Sequence, residues 1–337
     1  MDKNIYLKSG YLNVPYILKL PVPFIFCVGG RGTGKTYGAL KYVLENNVQF
    51  LYMRRTQAQA DLINRAEFSP FKSVSADTGV IVTSASVTKY NAAFYRAEME
   101  DDKIVPIGAP IGYTLALSTV SNLRGFDMSD CTLLIYDEFI PERHERPLKN
   151  EADALFNAYE TINRNRELKG GDPLKVLCLA NANDISNPIF ESLGVIDKVY
   201  AMQKSNQALT VNTERGYAIV LLDSSPISGR KKNTALYKLT AGSNFASMAL
   251  DNSYNVQFEK QSVNLLEYTP MVTVDGITLY RHKSNGTIYA TYHKSGGTQE
   301  MDERLYRKQY AHYIDDMDAR GLVTYENLEI REHLTAY

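Results

Sequence analysis

Short apolar runs alternate with longer amphipathic stretches over the first two-thirds of the chain. The apolar runs predict buried strands at residues 24–28, 50–53, 114–117, 133–136, 176–179 and 217–222. Between them, apolar residues recur at helical spacing, most clearly at 37–44 and 151–166. Strands that alternate with helices form a mostly parallel sheet that is covered on both faces. The pattern therefore predicts an α/β fold for this part of the chain.

The pattern changes near the C-terminus. Residues 262–268, 271–274, 277–281 and 287–292 alternate between apolar and polar positions, as strands with one buried face do. Asp275-Gly276 lies between two of these segments, and this dipeptide is typical of a β-hairpin. Helices are predicted at 302–320 and 325–334. The small C-terminal part is thus an α+β unit.

A turn-rich run at 223–229 separates the two patterns. We therefore predict an α/β domain at 1–222, a partly helical linker at 223–254 and a small α+β domain at 255–337.

Composition is that of a soluble globular protein, because 44% of the 337 residues are hydrophobic and 22% are charged. No apolar run is long enough to cross a membrane and no signal peptide opens the chain, so we expect the protein to remain in the cell that makes it. Cys27, Cys131 and Cys178 lie in or beside apolar runs, which predicts buried free thiols. A net charge of −1 argues against the broad basic surface of a nucleic-acid coat protein.

A glycine-rich loop joins the first predicted strand to the first helix. It fits the phosphate-binding pattern G-x-x-x-x-G-K-[ST], and its strand and helix context argues against a chance match. Its glycines let consecutive backbone N–H groups face one anion at a helix N-terminus. Lys35 can reach the β- and γ-phosphates, and the Thr36 hydroxyl can ligate Mg²⁺. The loop comprises Gly29, Gly30, Arg31, Gly32, Thr33, Gly34, Lys35 and Thr36.

Two acidic residues directly follow the strand predicted at 133–136. Ligands of a parallel sheet collect at the carboxyl ends of its strands, so Asp137 and Glu138 should approach the phosphate loop. We assign Asp137 to Mg²⁺ and Glu138 to the attacking water, which predicts hydrolysis. No Asn-Lys-x-Asp run for guanine is present, so ATP is the expected nucleotide.

Three further residues are candidates for the same reaction. Asn181 ends the strand predicted at 176–179 and is either a γ-phosphate sensor or an ordinary strand-end cap. In the helix predicted at 151–166, with Asn150 as its N-cap, Arg164 points away from the buried Ile162 side. Arg164 is therefore either an arginine finger for a neighbouring subunit or a helix-end arginine stabilised by the dipole. Arg124, shortly before the acidic strand, is a second arginine that can act on a neighbouring site.

Several of these segments, in this order, resemble the DNA packaging ATPases of phi29-like tailed phages. The segments are 29–36, 49–55, 135–140, 163–167, 179–182 and 248–252, and together they span most of residues 20–252. The resemblance implies a P-loop NTPase of the ASCE type and a homomeric ring, a pentamer, on the portal vertex of an empty capsid. ATP hydrolysis with Mg²⁺ would drive double-stranded DNA into the capsid. By this resemblance, Arg164 matches the position of the family's arginine finger. Arg124 matches the position of a basic residue that acts on the site of a neighbouring subunit.

The resemblance also extends to partners and location. It implies action in the cytoplasm of an infected bacterium, with a prohead RNA as a further partner in some relatives. The C-terminal domain resembles a degenerate RNase H-like nuclease. Asp275 lies in a turn and Asp315, Asp316 and Asp318 diverge around one helix, so we expect no nuclease activity.

Three other functions remain open at this stage: an ATPase that also cuts DNA, an ATP-switched assembly protein without motor activity, and a nucleoside kinase. Arg54, Arg55 and Lys231 are candidate DNA contacts.

Overall fold

The computed structural model describes residues 4–123, 127–141, 145, 148–181, 187–222, 227, 233–240, 263–293, 298–326 and 328–335. The chain divides into two compact units, Met1–Asn255 and Val256–Tyr337. Most of the predicted linker, 223–254, lies outside the described residues, as do Arg124 and Lys231. All three cysteines are buried and free, as expected.

A nine-stranded sheet forms the centre of the first unit, in the order β3-β4-β5-β2-β6-β7-β1-β9-β8. The six central strands, β5, β2, β6, β7, β1 and β9, are parallel, which confirms the predicted mostly parallel α/β class. Strands β3, β4 and β8 are antiparallel additions at the two edges. The strands are β1 Phe24–Gly29, β2 Phe50–Arg54, β3 Ile81–Ser86, β4 Ala92–Glu100, β5 Lys103–Ala116, β6 Leu133–Asp137, β7 Lys175–Asn181, β8 Leu209–Asn212 and β9 Tyr217–Leu222.

Helices precede, connect and follow the strands of this sheet. They are α1 Val14–Leu18, α2 Lys35–Glu45, α3 Gln57–Ile63, α4 Lys72–Thr78, α5 Glu151–Asn163, α6 Pro188–Leu193, α7 Ile196–Lys204 and α8 Ala235–Leu239. Among the described residues, no helix is long and apolar enough to cross a membrane.

Helix α5 begins at Glu151 as predicted but ends earlier than predicted. It stops at Asn163, because Arg164 and Asn165 take the left-handed conformation with φ of 45° and 59°. Asn150 is the N-cap residue as predicted, but it has a φ of 53° and its side chain makes no capping hydrogen bond. Arg164 therefore follows the helix instead of lying on its outer face.

The carboxyl ends of four central strands meet at one edge of the sheet. Gly29 on β1 is in register with Asn181 on β7, and Asp137 on β6 is in register with Leu179 on β7. Strand β2 ends beside β6, where Met53 is in register with Tyr136. Strand β7 lies between β1 and β6, and all three end at the same edge of the sheet. The phosphate loop after β1, Asn181 at the end of β7 and the acidic pair at the end of β6 are therefore close together.

The second unit contains a five-stranded sheet in the order β13-β10-β11-β12-β14. Strands β10, β11 and β12 form the predicted antiparallel meander, with Asp275 and Gly276 in the first turn at φ of 47° and 81°. Strands β13 and β14 pair in parallel with β10 and β12, respectively. The strands are β10 Tyr268–Val274, β11 Ile277–His282, β12 Ile288–Thr291, β13 Glu300–Met301 and β14 Val323–Tyr325.

Three helices pack on this sheet. Helix α9, Glu303–Tyr306, continues through a π-helical turn, Arg307–Ala311, into α10, His312–Ala319. Helix α11 is Leu328–Thr335. Two sequence predictions were wrong here: Leu265–Glu267 forms a 3₁₀ turn and not a strand, and the last helix begins after Tyr325, whose side chain is buried at the end of β14.

Candidate nucleotide-binding site

The predicted phosphate loop joins β1 directly to the N-terminus of α2. Gly32 and Gly34 have φ of 66° and 82°, a conformation that side chains other than glycine rarely adopt. The hydroxyl of Thr33 donates to the carbonyl of Gly30 at 3.0 Å and closes the loop on itself. The glycine pattern therefore gives the curved backbone that a phosphate site requires.

The ammonium group of Lys35 lies inside this loop. It donates to the carbonyl oxygens of Gly29 and Gly30 at 2.9 and 2.8 Å, and its residue is only 7% exposed. The amide oxygen of Asn181 is 3.4 Å from the same nitrogen. The structure thus places a positive charge and a strand-end amide together inside the glycine-rich loop.

Thr36 and Asp137 face each other across the site. The Thr36 hydroxyl lies 3.0 and 3.1 Å from the two carboxylate oxygens of Asp137. The Tyr52 hydroxyl donates to Asp137 Oδ2 at 2.5 Å. Burial and the neighbouring Asp137 raise the pKa of Tyr52 well above its ordinary value, so the phenol stays protonated. Hydroxyl and carboxylate oxygens are the ligands that Mg²⁺ prefers, so this pair fits the predicted metal.

Glu138 has a φ of 59°, and its side chain is 45% exposed. Its carboxylate forms an ion pair with Arg54 at the end of β2, and Arg54 Nη1 lies 3.5 Å from Asp137 Oδ2. Burial lowers the pKa of Arg54, but Tyr52 and the two carboxylates outweigh it and raise that pKa overall. Arg54 was a candidate DNA contact from the sequence, but in the structure it forms an ion pair with Glu138 and lies close to Asp137.

Arg55 is a structural residue and not a DNA contact, since it is only 1% exposed. Its Nε and Nη2 donate to the two carboxylate oxygens of Glu151 at 2.7 and 3.1 Å. Glu151 also accepts from the Tyr136 hydroxyl at 3.1 Å and from the Leu148 backbone at 3.1 Å. This buried network fixes the start of α5 next to the ends of β2 and β6.

A cavity of about 170 Å³ joins the predicted residues into one site. Asn181 and Glu138 line it together with the phosphate loop and the acidic strand end. Its remaining walls include Gly32, Gly34, Lys35, Thr36, Tyr37, Asp137 and Ala180. The sequence did not reveal Tyr52 as a partner of Asp137, although a tyrosine inside an otherwise apolar strand was a usable signal.

Arg164 lies away from this cluster. The 13 residues of α5 separate it from Glu151, which at 1.5 Å per residue is about 20 Å. Its side chain is 39% exposed and pairs with Asp127 at 3.1 Å. Arg166, by contrast, donates to the carbonyl oxygens of Ser129 and Cys131 at 2.9 and 2.7 Å. Arg164 is thus the more accessible of the two arginines.

The acidic residues considered for a nuclease are spread over the second unit. Asp275 pairs with His333 at 3.0 Å, whereas Asp316 and Asp318 pair with Arg320 and Arg331 at 3.4 Å. Within the part of the chain that the structure describes, no group of three or more His, Cys, Asp or Glu residues could hold a metal ion.

Comparisons with known proteins match this chain to phage DNA packaging proteins. The family model described as Podovirus DNA encapsidation protein (Gp16) matches residues 1–289. The DNA packaging protein of Bacillus phage B103 is 27% identical over 248 residues, which cover 71% of this chain and 68% of that protein. The DNA packaging protein of Bacillus phage phi29 is 25% identical over 281 residues, which cover 81% of this chain and 75% of that protein.

Two solved structures share the fold over nearly the whole chain. The Phi-28 gp11 DNA packaging motor has a TM-score of 0.55 and 20% identity, covering 95% of each chain. The bacteriophage Phi-29 viral genome packaging motor assembly has a TM-score of 0.52 and 21% identity, covering 96% of each chain.

Proposed function

Because this chain belongs to the podovirus DNA encapsidation protein (Gp16) family, we propose that it is the ATPase of a viral DNA packaging motor. It hydrolyses ATP and couples hydrolysis to the movement of double-stranded DNA into a preformed capsid. The observation that carries this proposal is the convergence of Lys35, Thr36, Asp137 and Glu138 on one small cavity beside a phosphate loop.

Each of these side chains has a role that its chemistry supports. The loop N–H groups and Lys35 bind the phosphate chain, and Lys35 leaves its carbonyl partners to do so. Thr36 and Asp137 would hold Mg²⁺, which when bound neutralises charge on the transferring phosphoryl group. Tyr52 orients the Asp137 carboxylate by its hydrogen bond.

Glu138 orients and polarises the attacking water. Its side chain is half-exposed and lines the same cavity as Lys35, which supports this role. Arg54 is ion-paired with the Glu138 carboxylate in the structure, so this ion pair must open before Glu138 can act. Asn181 touches Lys35 and is the proposed γ-phosphate sensor.

A homomeric ring, a pentamer, completes the active site. Arg164 is exposed and distant from its own phosphate loop, which supports action on the nucleotide of a neighbouring subunit. We propose Arg124 as a second arginine acting between subunits. The ring docks on the portal vertex of the prohead, in the cytoplasm of the infected bacterium, with a prohead RNA as a further partner.

We propose no nuclease activity for the second unit. Asp275, Asp316 and Asp318 pair with basic side chains, and the role of the unit is contact with the portal, RNA or DNA.

ATP hydrolysis measured with and without double-stranded DNA and purified proheads tests the proposed function. We expect turnover that rises when DNA and proheads are added together. Turnover that ignores these additions would indicate an ATP-switched assembly protein instead. Nicking of a plasmid in Mn²⁺ that is abolished by Asp275→Ala would indicate an ATPase with nuclease activity.

A further inference from the structure

Strands β4 and β5 form a hairpin that projects from the edge of the sheet at which the parallel strands begin. Strand β2 begins opposite Gly112 of β5, which is in register with Phe94 of β4. From Phe94, β4 continues to Glu100, which at about 3.4 Å per residue is about 20 Å. Strand β3 accompanies it only as far as Ala97. A two-stranded ribbon is marginally stable in water, so the end of this hairpin gains from a partner.

The turn of the hairpin is rigid and acidic. Asp101 and Asp102 both have positive φ, 46° and 60°, as in a two-residue type I′ turn, and Glu100 is in register with Lys103. Glycine is favoured in such a turn, so the turn itself does not require two carboxylates. Together with Glu98 these are four exposed carboxylates, and none of them makes a hydrogen bond or ion pair within the described part of the chain. Such a tip repels nucleic-acid phosphates, so its partner is a protein surface with positive charge.

One face of the hairpin is apolar and exposed. Met99 lies opposite Ile104, so both side chains are on the same face, whereas Glu98 is on the other. Met99 is 55% exposed and Ile104 is 48% exposed. Pro106 and Pro110 remove backbone donors from β5, which hinders the addition of a further strand at its edge. The partner therefore meets the apolar face and not the strand edge.

The N-terminal segment of the same chain has the complementary chemistry. Residues 3–44 contain six lysines and arginines and no aspartate or glutamate. The Leu7 N–H donates to the Tyr11 carbonyl at 2.8 Å and closes a small loop, where Leu7 is 45% exposed. Lys8 is exposed beside it, and its ammonium makes no ion pair within the described residues. An apolar side chain next to a positive charge fits an apolar face next to an acidic turn.

These two surfaces lie at opposite edges of one sheet. The N-terminal segment lies at the phosphate-loop edge, because the Leu12 N–H donates to the carbonyl of Thr33 at 2.9 Å. The hairpin lies at the other edge, where Gln49, directly before β2, donates to the carbonyl of Pro110 at 2.7 Å. The two surfaces of one subunit therefore cannot meet each other, but those of two copies can.

Arg164 lies at the same edge as the hairpin. It pairs with Asp127 at 3.1 Å, and Arg166 donates to the carbonyl of Cys131, shortly before β6 begins. A contact between opposite edges of successive copies is head-to-tail, and such contacts generate a ring when the rotation closes. The arrangement that brings Arg164 to the phosphate loop of a neighbour thus brings the hairpin to the neighbour's N-terminal segment.

We propose that the β4–β5 hairpin docks on the N-terminal segment of the next copy of this chain. Its apolar face covers Leu7, and the carboxylates of its turn pair with Lys8. Because the N-terminal segment is hydrogen-bonded to the phosphate loop, the contact links the hairpin of one subunit to the nucleotide site of the next. This inference rests on the proposed function, since it assumes that copies of the chain form a ring.

Disulfide cross-linking of the full chain tests this contact, because all three native cysteines are buried. Copies with Met99→Cys are mixed with copies with Leu7→Cys and oxidised in the presence of ATP and Mg²⁺. We expect a cross-linked dimer, and a chain that carries both substitutions should form a ladder of multimers. Glu98→Cys is the matched control, since it lies next to Met99 on the opposite face and should give no dimer with Leu7→Cys.

Two variants test the energetics by sedimentation velocity. Asp101→Asn with Asp102→Gly removes two carboxylates but supplies the Asn-Gly pair that type I′ turns favour, so the hairpin still folds. It should weaken association at low salt but not in 1 M salt, where the Debye length is about 3 Å. Ile104→Thr keeps a β-branched residue and should raise the Kd for association about fivefold or more. Glu214→Gln, in the turn between β8 and β9, is the control for the loss of an exposed carboxylate.

The outcomes separate this contact from the proposed function. Equal cross-linking through Met99→Cys and Glu98→Cys would overturn the docked face. Rings seen by native mass spectrometry without any cross-link through Met99→Cys would overturn the hairpin contact and leave the ring intact. Only monomers, at concentrations at which the chain hydrolyses ATP, would overturn the proposed ring as well.

Discussion

Arg54, at the end of β2, forms an ion pair with Glu138, the residue directly after β6. Its guanidinium also approaches the carboxylate that we propose as an Mg²⁺ ligand, since Arg54 Nη1 lies 3.5 Å from Asp137 Oδ2. The side chains of Arg54 and Asp137 are nearly buried, at 13% and 7% exposed, whereas that of Glu138 is 45% exposed. The ion pair therefore restrains the carboxylate that we propose orients the attacking water.

Replacing Arg54 with alanine should free Glu138 and weaken the dependence of turnover on DNA. We expect Arg54→Ala to raise ATP hydrolysis in the absence of DNA and to abolish the stimulation that DNA and proheads give. Steady-state ATPase assays with and without these additions measure both effects. Arg65→Ala, at an exposed arginine of the same unit, is the matched control and should behave as the unmodified protein. Normal stimulation of Arg54→Ala would show that the ion pair does not restrain catalysis.

Glu138 and Lys35 should affect different steps of the reaction, which measurements of turnover and of ATP binding can distinguish. Glu138→Gln removes the general base and should lower kcat by about 10²–10⁴-fold while ATP still binds. Lys35→Ala should lose binding and turnover together. Glu100→Gln, at an exposed glutamate near the turn between β4 and β5, is the control for the charge change. A Glu138→Gln protein with undiminished kcat would remove Glu138 from the mechanism.

Arg164 should act on the nucleotide of the neighbouring subunit. Loss of an arginine finger costs about 10³–10⁵ in kcat, so Arg164→Ala alone should be nearly inactive. Mixing Arg164→Ala with Lys35→Ala subunits should restore turnover, because each Lys35→Ala subunit donates its intact finger. A mixture of Lys35→Ala and Glu138→Gln should stay inactive, since both changes affect the same site. No recovery in the first mixture would contradict action in trans.

The buried Arg55–Glu151 pair should matter for stability. Removing one partner of a buried ion pair costs about 3–5 kcal/mol, so Arg55→Met should lower the free energy of unfolding by that amount. Replacing both residues together, as Arg55→Met with Glu151→Gln, removes the unpaired charge, keeps an acceptor for Tyr136 and Leu148, and should recover most of the loss. Lys41→Met breaks an exposed pair and should cost only about 0.5 kcal/mol or less. Urea denaturation of the four proteins measures these differences, and a small effect of Arg55→Met would contradict the structural role.

The sequence predicted the parts of this site that are contiguous in the chain. The phosphate loop and the Asp137-Glu138 pair each follow an apolar strand, and the carboxyl ends of parallel strands share one edge. Their approach was therefore predictable without knowing any long-range contact. Asn181 was predicted at the same edge for the same reason.

Contacts between distant segments were not predictable in this way. Arg54 meets Glu138 across 84 positions and Arg55 meets Glu151 across 96, so the sequence showed only two adjacent basic residues. The antiparallel strands β3 and β4 have exposed faces and weak apolar patterns, which concealed them. The end of α5 depended on the left-handed conformation of Arg164, a residue type that rarely adopts it, followed by Asn165, a type that does so more often.

Protection of DNA from added nuclease is the most direct measurement of the proposed motor. Purified proheads, double-stranded DNA and the full chain are mixed with ATP and Mg²⁺, and nuclease then digests all DNA outside capsids. We predict that full-length DNA survives with ATP and the unmodified protein, and that none survives with Glu138→Gln or without ATP. Equal survival with Glu138→Gln, or none with a protein that hydrolyses ATP normally, would contradict ATP-driven translocation by this chain.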